Sequence, residues 1–284
     1  MFNHRILRTI FPVLLLLASS IPLPALQEPE LTEQQIRSFL LNAKVIASKH
    51  TSKGVTSPYR LTMTDGTITH DASFQPVDEA VDRMELPDGR VEFNFRDCYK
   101  YDIAAYELAK LLGLGDMMPV YVERKWNGRT GSISWWLPVM MDEATREAKN
   151  IEPPDKDAWD RQVNKKLIFA ELVYDTDPNT TNVLISKDWH LWMIDFSRAF
   201  RLSKELLNRR NITDTMCERH LLDRMRKLDR NELTLKTKGL LAKNEIDGVM
   251  ARRDKIVAIY DDLIAKKGEK AVLYDDPTAN KSEK

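Results

Sequence analysis

One stretch constrains this chain more than any other: Asp177-Pro-Asn-Thr-Thr-Asn182, then two short apolar runs, then Ile194-Asp195-Phe196-Ser-Arg-Ala-Phe200. Val183 to Ser186 and Leu191 to Ile194 are β-branched or apolar, and the polar Lys187-Asp188-Trp189-His190 divides them. That pattern predicts a hairpin with a four-residue loop. Pairing Ser186 with Leu191 sets Asn182 opposite Asp195, with Cβ atoms about 5 Å apart. Two oxygen ligands meeting at one point suit a hard cation such as Mg²⁺ or Mn²⁺, which completes its shell from water and phosphates. Asp177 lies on the loop leading into the hairpin, where it is free to act as a base. Alone, these residues also fit a surface hairpin with an Asx-rich turn.

The rest of the chain supplies the context. At 284 residues, 43% hydrophobic and 30% charged, it can bury a substantial core. Lys plus Arg and Asp plus Glu are both 43, so no basic excess points to nucleic acid or an anionic membrane surface. Residues 1–25 have the layout of a secretory signal peptide: His4, Arg5 and Arg8, an apolar run from Ile10 to Ala18, then a small residue at Ala25. The run is shorter than the ~20 residues a membrane span needs and contains Pro12, so it predicts export and release, with no stable membrane anchor after cleavage. A secreted or periplasmic location follows, in which Cys98 and Cys217 could pair or stay free.

Along the chain, Leu31 to Ser48 reads as an amphipathic helix capped by Thr32 and Gln35, within an N-terminal helical segment 26–49. Hairpins follow at Val55 to Val77 (turn Asp65-Gly66), Val81 to Phe95 (turn Asp88-Gly89) and Pro119 to Leu137 (turn Asn127-Gly128). Tyr99 to Leu112 reads as a helix closed by Gly113. Further helices are expected over Asp157 to Val173, Cys217 to Leu228 and Asn244 to Lys267, the last capped by Asn244 and Gly268. The sum is an α+β chain with a strand-rich lobe, 50–138, a helical lobe, 139–270, and a polar tail, 271–284.

Tyr101-Asp-Ile-Ala-Ala-Tyr-Glu-Leu-Ala-Lys-Leu-Leu-Gly-Leu114 with Met118-Pro-Val-Tyr-Val-Glu-Arg124 resembles the regulatory helix and next strand of the secretory-pathway atypical kinases and their bacterial relatives. Asp177-Pro-Asn-Thr-Thr-Asn182 and Ile194-Asp-Phe-Ser-Arg-Ala-Phe200 extend the likeness, which is also similar to HipA-like and phosphatidylinositol 3/4-kinase-like folds. The resemblance implies a bilobal protein-kinase-like fold and metal-dependent phosphoryl transfer from ATP to a hydroxyl of a protein, glycan or small molecule. It implies that Asp177 is the base, that Asn182 and Asp195 hold Mg²⁺ or Mn²⁺, and that Lys53-Gly54 covers the phosphates. Two positions depart from the pattern. Gln75 stands where relatives carry the ATP-pairing Lys, and Asp102 stands where they carry its partner Glu. Either another cation, Lys53 or Arg60, substitutes, or the chain is a pseudokinase that binds a nucleotide or partner without turnover. A solvated helix-face charge is the alternative for Asp102.

Overall fold

The computed structural model describes residues 31–51, 58–85, 89 and 91–276, and the statements below concern these residues. The expected signal peptide, residues 1–25, and Lys53-Gly54 lie outside them. The chain opens with α1 (Glu33–Asn42), whose capping box is built from Thr32 and Gln35 as the sequence suggests. The helix stops six residues short of the expected Ser48, because Lys44-Val-Ile-Ala instead pairs as a strand, β1 (Lys44–His50). β-Branched Val45 and Ile46 fit a pleated edge better than a helix end.

Strands β2 (Tyr59–Thr64) and β3 (Thr69–Gln75) form the first expected hairpin, and β4 (Asp78–Glu85) and β5 (Val91–Cys98) form the second as a separate two-stranded ribbon. Helix α2 (Tyr99–Leu111) follows directly, then the hairpin β6 (Tyr121–Trp126) and β7 (Arg129–Trp135). The main sheet runs β1-β2-β3-β7-β6, with every neighbouring pair antiparallel. Helix α1 lies on it, so that Phe39 and Leu40 join Leu61, Met63, Phe74, Val122 and Ile133 in one small core.

A short strand, β8 (Val139–Asp142), and helix α3 (Glu143–Ala148) lead to the helical half, which begins with α4 (Lys156–Val173). Strands β9 (Val183–Ser186) and β10 (Leu191–Met193) form a small sheet with β8. The remainder is α5 (Arg210–Thr213), β11 (Cys217–Glu218), α6 (Arg219–Lys227), α7 (Arg230–Lys236), α8 (Lys243–Lys267) and β12 (Leu273–Tyr274), which pairs in parallel with β11. The expected helix from Cys217 therefore starts two residues later, at Arg219, where the buried Glu218 carboxylate accepts the His220 and Leu221 N–H groups. At α8 the cap is Ala242 rather than Asn244: the Glu245 carboxylate reaches back to the Ala242 N–H. Cys98 and Cys217 are both free and buried, so no disulfide joins them.

Helix α2 belongs to the large core of the helical half, with Ile103, Leu108 and Leu112 packed among residues of α4, α6 and α8. Gly113 closes it at φ 72°, and the Leu114 N–H turns back to the Ala109 carbonyl at 2.7 Å. A second glycine sets a close approach. A Cβ on Gly131 would stand 2.5 Å from the Gln75 carbonyl oxygen and 2.8 Å from Pro76 Cα, both backbone atoms that cannot swing aside. Gly131→Ala is therefore expected to push β7 away from β3 and cost about 2–3 kcal/mol of stability, read from chemical denaturation. An unchanged midpoint would show that the sheet gives without loss.

Candidate active site

The loop after α4 is fixed at its start by Tyr174, which takes the left-handed conformation at φ 55° and turns the chain out of the helix. Asp175 is buried there, and its carboxylate accepts the Asp177 N–H at 3.0 Å. Asn179 caps a single tight turn over Thr180–Asn182, which delivers the chain to β9. Asp177 remains 38% exposed, so a substrate can reach it. Asn182 is half-buried.

The hairpin register differs from the sequence expectation by one residue. Leu191 pairs with Ile185 rather than Ser186, and Met193 with Val183. The loop closes over three residues, Lys187 to Trp189, rather than four, because Trp189 adopts φ 62°, held by bonds from its N–H to the Ser186 carbonyl and from the Ser186 N–H to the His190 carbonyl. Asn182 consequently faces Ile194, whose N–H donates to the Asn182 carbonyl at 3.0 Å. Asp195 is not directly opposite Asn182. It lies one step beyond the pair at φ 60°, where a left-handed turn redirects the chain.

Asp195 accepts the Ser197 hydroxyl at 2.9 Å. Burial pushes its carboxyl up to about 6; the Ser197 hydroxyl offsets part of this, while the negative charges of Asp97 and Asp177 add to it. Asp175 is likewise raised to about 6, by burial and the charge of Asp177, against the pull of the Asp177 N–H and Lys166. Asp97, at the end of β5, is raised chiefly by burial, with Ser197 and Arg198 opposing and Glu79 and Asp177 adding. These carboxylates influence one another, as groups gathered round a functional site do.

The opposite wall is made by Gln75, Ser132 and Asp102. Gln75 ends β3, buried, in register with Ser132 of β7. The Ser132 hydroxyl donates to Asp102 Oδ2 at 3.0 Å, and the Phe196 N–H donates to Asp102 Oδ1 at 2.8 Å. Asp102 is thus no solvated helix-face charge: it is 3% exposed and holds the residue next to Asp195. Burial and then the charge of Asp195 push it far above the usual carboxylate range. Gln75 and Asp102 therefore meet at Ser132, whose hydroxyl also lies 3.5 Å from the Gln75 main-chain carbonyl. Arg60, a possible substitute cation, is committed elsewhere: its Nε donates to Asp71 at 2.6 Å and its guanidinium covers the Trp136 ring at 4.3 Å.

Sequence reasoning assigned no role to Asp97, Asp175, Ser132, Glu92 or Arg198. Arg198 and Asp175 lie close in sequence to predicted site residues, Arg198 two positions after Phe196 and Asp175 two before Asp177; Asp97, Ser132 and Glu92 depend on packing between distant segments. Among the described residues no three His, Cys, Asp or Glu side chains converge as a metal site on their own. An Asn and an Asp beside an exposed Asp, with the Asp97 Oδ1 buried and without a hydrogen-bond partner, fit a hard cation that draws its remaining ligands from phosphate and water.

No family model matches the sequence, and no curated protein is similar enough to match it. Solved structures do. A hydra Fam20 protein solved with sugar superposes at a TM-score of 0.62 with 13% identity, covering 86% of this chain and 93% of that one. A golgi casein kinase gives 0.60 and 14%, covering 87% and 81%. The chain has an atypical kinase-like fold. A Helicobacter pylori proinflammatory kinase, CtkA, extends the likeness at 0.51 and 8%, covering 83% of this chain and 98% of that one. At these identities the kinase-like fold is what is shared, with its strand-rich and helical lobes. No helix among the described residues is long and apolar enough to cross a membrane.

Proposed function

We propose that this protein is an exported, metal-dependent phosphotransferase that moves a phosphoryl group from ATP to a hydroxyl acceptor. The observation carrying this is the floor of the site: Asp177 exposed on its loop, with Asn182 and Asp195 at the mouth of the following hairpin, inside a kinase-like fold. Asp177 would orient the acceptor hydroxyl and take its proton. Asn182 and Asp195 would hold Mg²⁺ or Mn²⁺, which when bound neutralises charge on the phosphates. Asp102, through the Phe196 N–H, keeps the turn carrying Asp195 in place, and the hydroxyl of Ser132 fixes Asp102 in turn. The acceptor belongs to a protein, glycan or small molecule, and residues 1–25 would direct the chain to a secreted or periplasmic location.

The test is a thermal shift with ATP in the presence of Mn²⁺ or Mg²⁺. At a nucleotide concentration a hundred times Kd, a stabilisation of about 2.7 kcal/mol is expected, and chelation should remove it. No shift with any combination of nucleotide and metal would sink the proposal. A second reading, a pseudokinase that binds nucleotide or a partner without turnover, is favoured by one observation: Gln75 is neutral and Arg60 is already paired. Nucleotide-dependent stabilisation with neither ATP hydrolysis nor autophosphorylation would select it.

A further inference from the structure

We infer that Arg198 is a catalytic residue of this site: its guanidinium engages the transferring γ-phosphoryl group and supplies the positive charge that Gln75 lacks. This rests on the phosphotransferase reading above. Arg198 stands three residues after Asp195, and its Nη1 lies 3.6 Å from Asp177 Oδ2. The side chain is 15% exposed, stacked 5.2 Å from the Phe95 ring. Its position is set from the β4–β5 ribbon: Glu92 Oε1 accepts Arg198 Nη2 at 2.6 Å, and Glu92 Oε2 accepts Arg201 Nη2 at 2.9 Å. One carboxylate shared between two guanidinia positions Arg198 without taking up its whole hydrogen-bonding capacity.

The hydrogen bonds of Arg198 are unfinished. Its Nε is buried with no partner, and the Nη1 contact to Asp177 is beyond hydrogen-bond range. A guanidinium present only to neutralise Asp97 and Asp177 would spend those N–H groups on them. An unpartnered buried donor is costly unless a ligand completes it. The planar fork of an arginine matches two oxygens of a phosphoryl group, which neither Asp177 nor Glu92 occupies fully. In the transfer, the bond from the acceptor oxygen to Pγ forms as the bridging oxygen–Pγ bond to ADP breaks, and the acceptor proton passes to Asp177. Charge builds on the equatorial oxygens during that exchange, and Arg198 is placed to meet it.

The experiment compares the wild-type chain with R198Q in thermal shift with Mn²⁺ and either ATP or ADP, alongside turnover. The wild type is expected to gain more from ATP than from ADP. R198Q should keep the ADP shift, lose the ATP excess and fall about 10³-fold in turnover. E92Q, which frees the guanidinium, should weaken the ATP excess in the same direction. If R198Q does not fold, R198K carries the test: the charge stays, the fork is lost, and the ATP excess should shrink. An ATP excess and turnover unchanged in these variants overturns the inference and leaves the phosphotransferase reading standing. Equal loss of both nucleotide shifts marks a structural role and also overturns it. Absence of any nucleotide shift in the wild type sinks both.

Discussion

Asp195→Asn is expected to abolish phosphoryl transfer and at the same time to make the metal-free protein more stable at neutral pH. The two effects have one origin. The Asp195 carboxyl is buried, with the charges of Asp97 and Asp177 nearby, and this raises it to about 6. An acid raised on folding binds more protons in the folded chain than in the unfolded one between its two values, near 4 and near 6. Stability therefore falls as pH rises through that window, and the full penalty, up to about 3 kcal/mol, is present at pH 7. Asparagine fills the same space without the charge. In chelator, the variant should melt above the wild type at pH 7, and the gap should close near pH 4. With Mn²⁺ and ATP the order is expected to reverse, since on the proposed reading the Asp195 carboxylate holds the ion and an amide would hold it weakly. The metal-dependent shift should therefore grow as pH rises through about 6, where Asp195 ionises. A variant no more stable than the wild type in chelator would show that Asp195 carries no such penalty. Asp177→Ala separates the roles: it should remove turnover while leaving the metal-dependent nucleotide shift largely intact.

The second large effect is on stability. Arg252→Met should cost about 4 kcal/mol, because it removes a buried charge whose donors satisfy three main-chain carbonyls. Arg252 on α8 is wholly buried; its Nε donates to the Leu172 carbonyl at 2.8 Å and its Nη1 to the carbonyls of Arg201, at 3.1 Å, and Ser203. Its guanidinium covers the Tyr174 ring at 5.4 Å. Burial lowers its pKa to about 10, still charged at neutral pH. Gly248 makes the space, since a Cβ there would stand 2.9 Å from Arg252 Nη1. One side chain thus ties the end of α4, just before the Asp175–Asp177 loop, to the segment after Phe200. A drop of roughly 10 °C in the calorimetric midpoint is expected at this size. A loss below about 1 kcal/mol would mean that water satisfies the carbonyls in its place.

What the sequence made legible were the features written in local pattern. Thr32 and Gln35 announced the capping box, Gly113 the end of α2, and the Asp65-Gly66 and Asn127-Gly128 turns their hairpins. The spacing of Asp177, Asn182 and Asp195 was visible because these residues lie on one hairpin and its flanks. The register within that hairpin was not, since a single residue, Trp189, in a left-handed conformation shifts it by one. The wall of the site was hidden for a different reason. Asp102, Ser132 and Phe196 are far apart in sequence, and only packing shows that the shortened acid binds a main-chain N–H rather than facing water. Arg252 was invisible too: a lone arginine in a charged helix has no signature of burial.

Helix α2 has a consequence for how such a protein could be controlled. Ten of its thirteen residues are buried, Arg37 of α1 reaches its Glu107 at 3.0 Å, and Tyr101 donates to Glu245 of α8. Swinging this helix outward would return Ile103, Tyr106, Leu108 and their neighbours to water at about 1.5–3 kcal/mol each. The total is comparable with the entire stability of a domain, about 5–15 kcal/mol. An out state at that energy has no useful population, and no ordinary ligand has the differential affinity to select it. On the phosphotransferase reading the site would therefore stay assembled, and the supply of metal, nucleotide and acceptor, rather than a helix that engages and disengages, would set when it works.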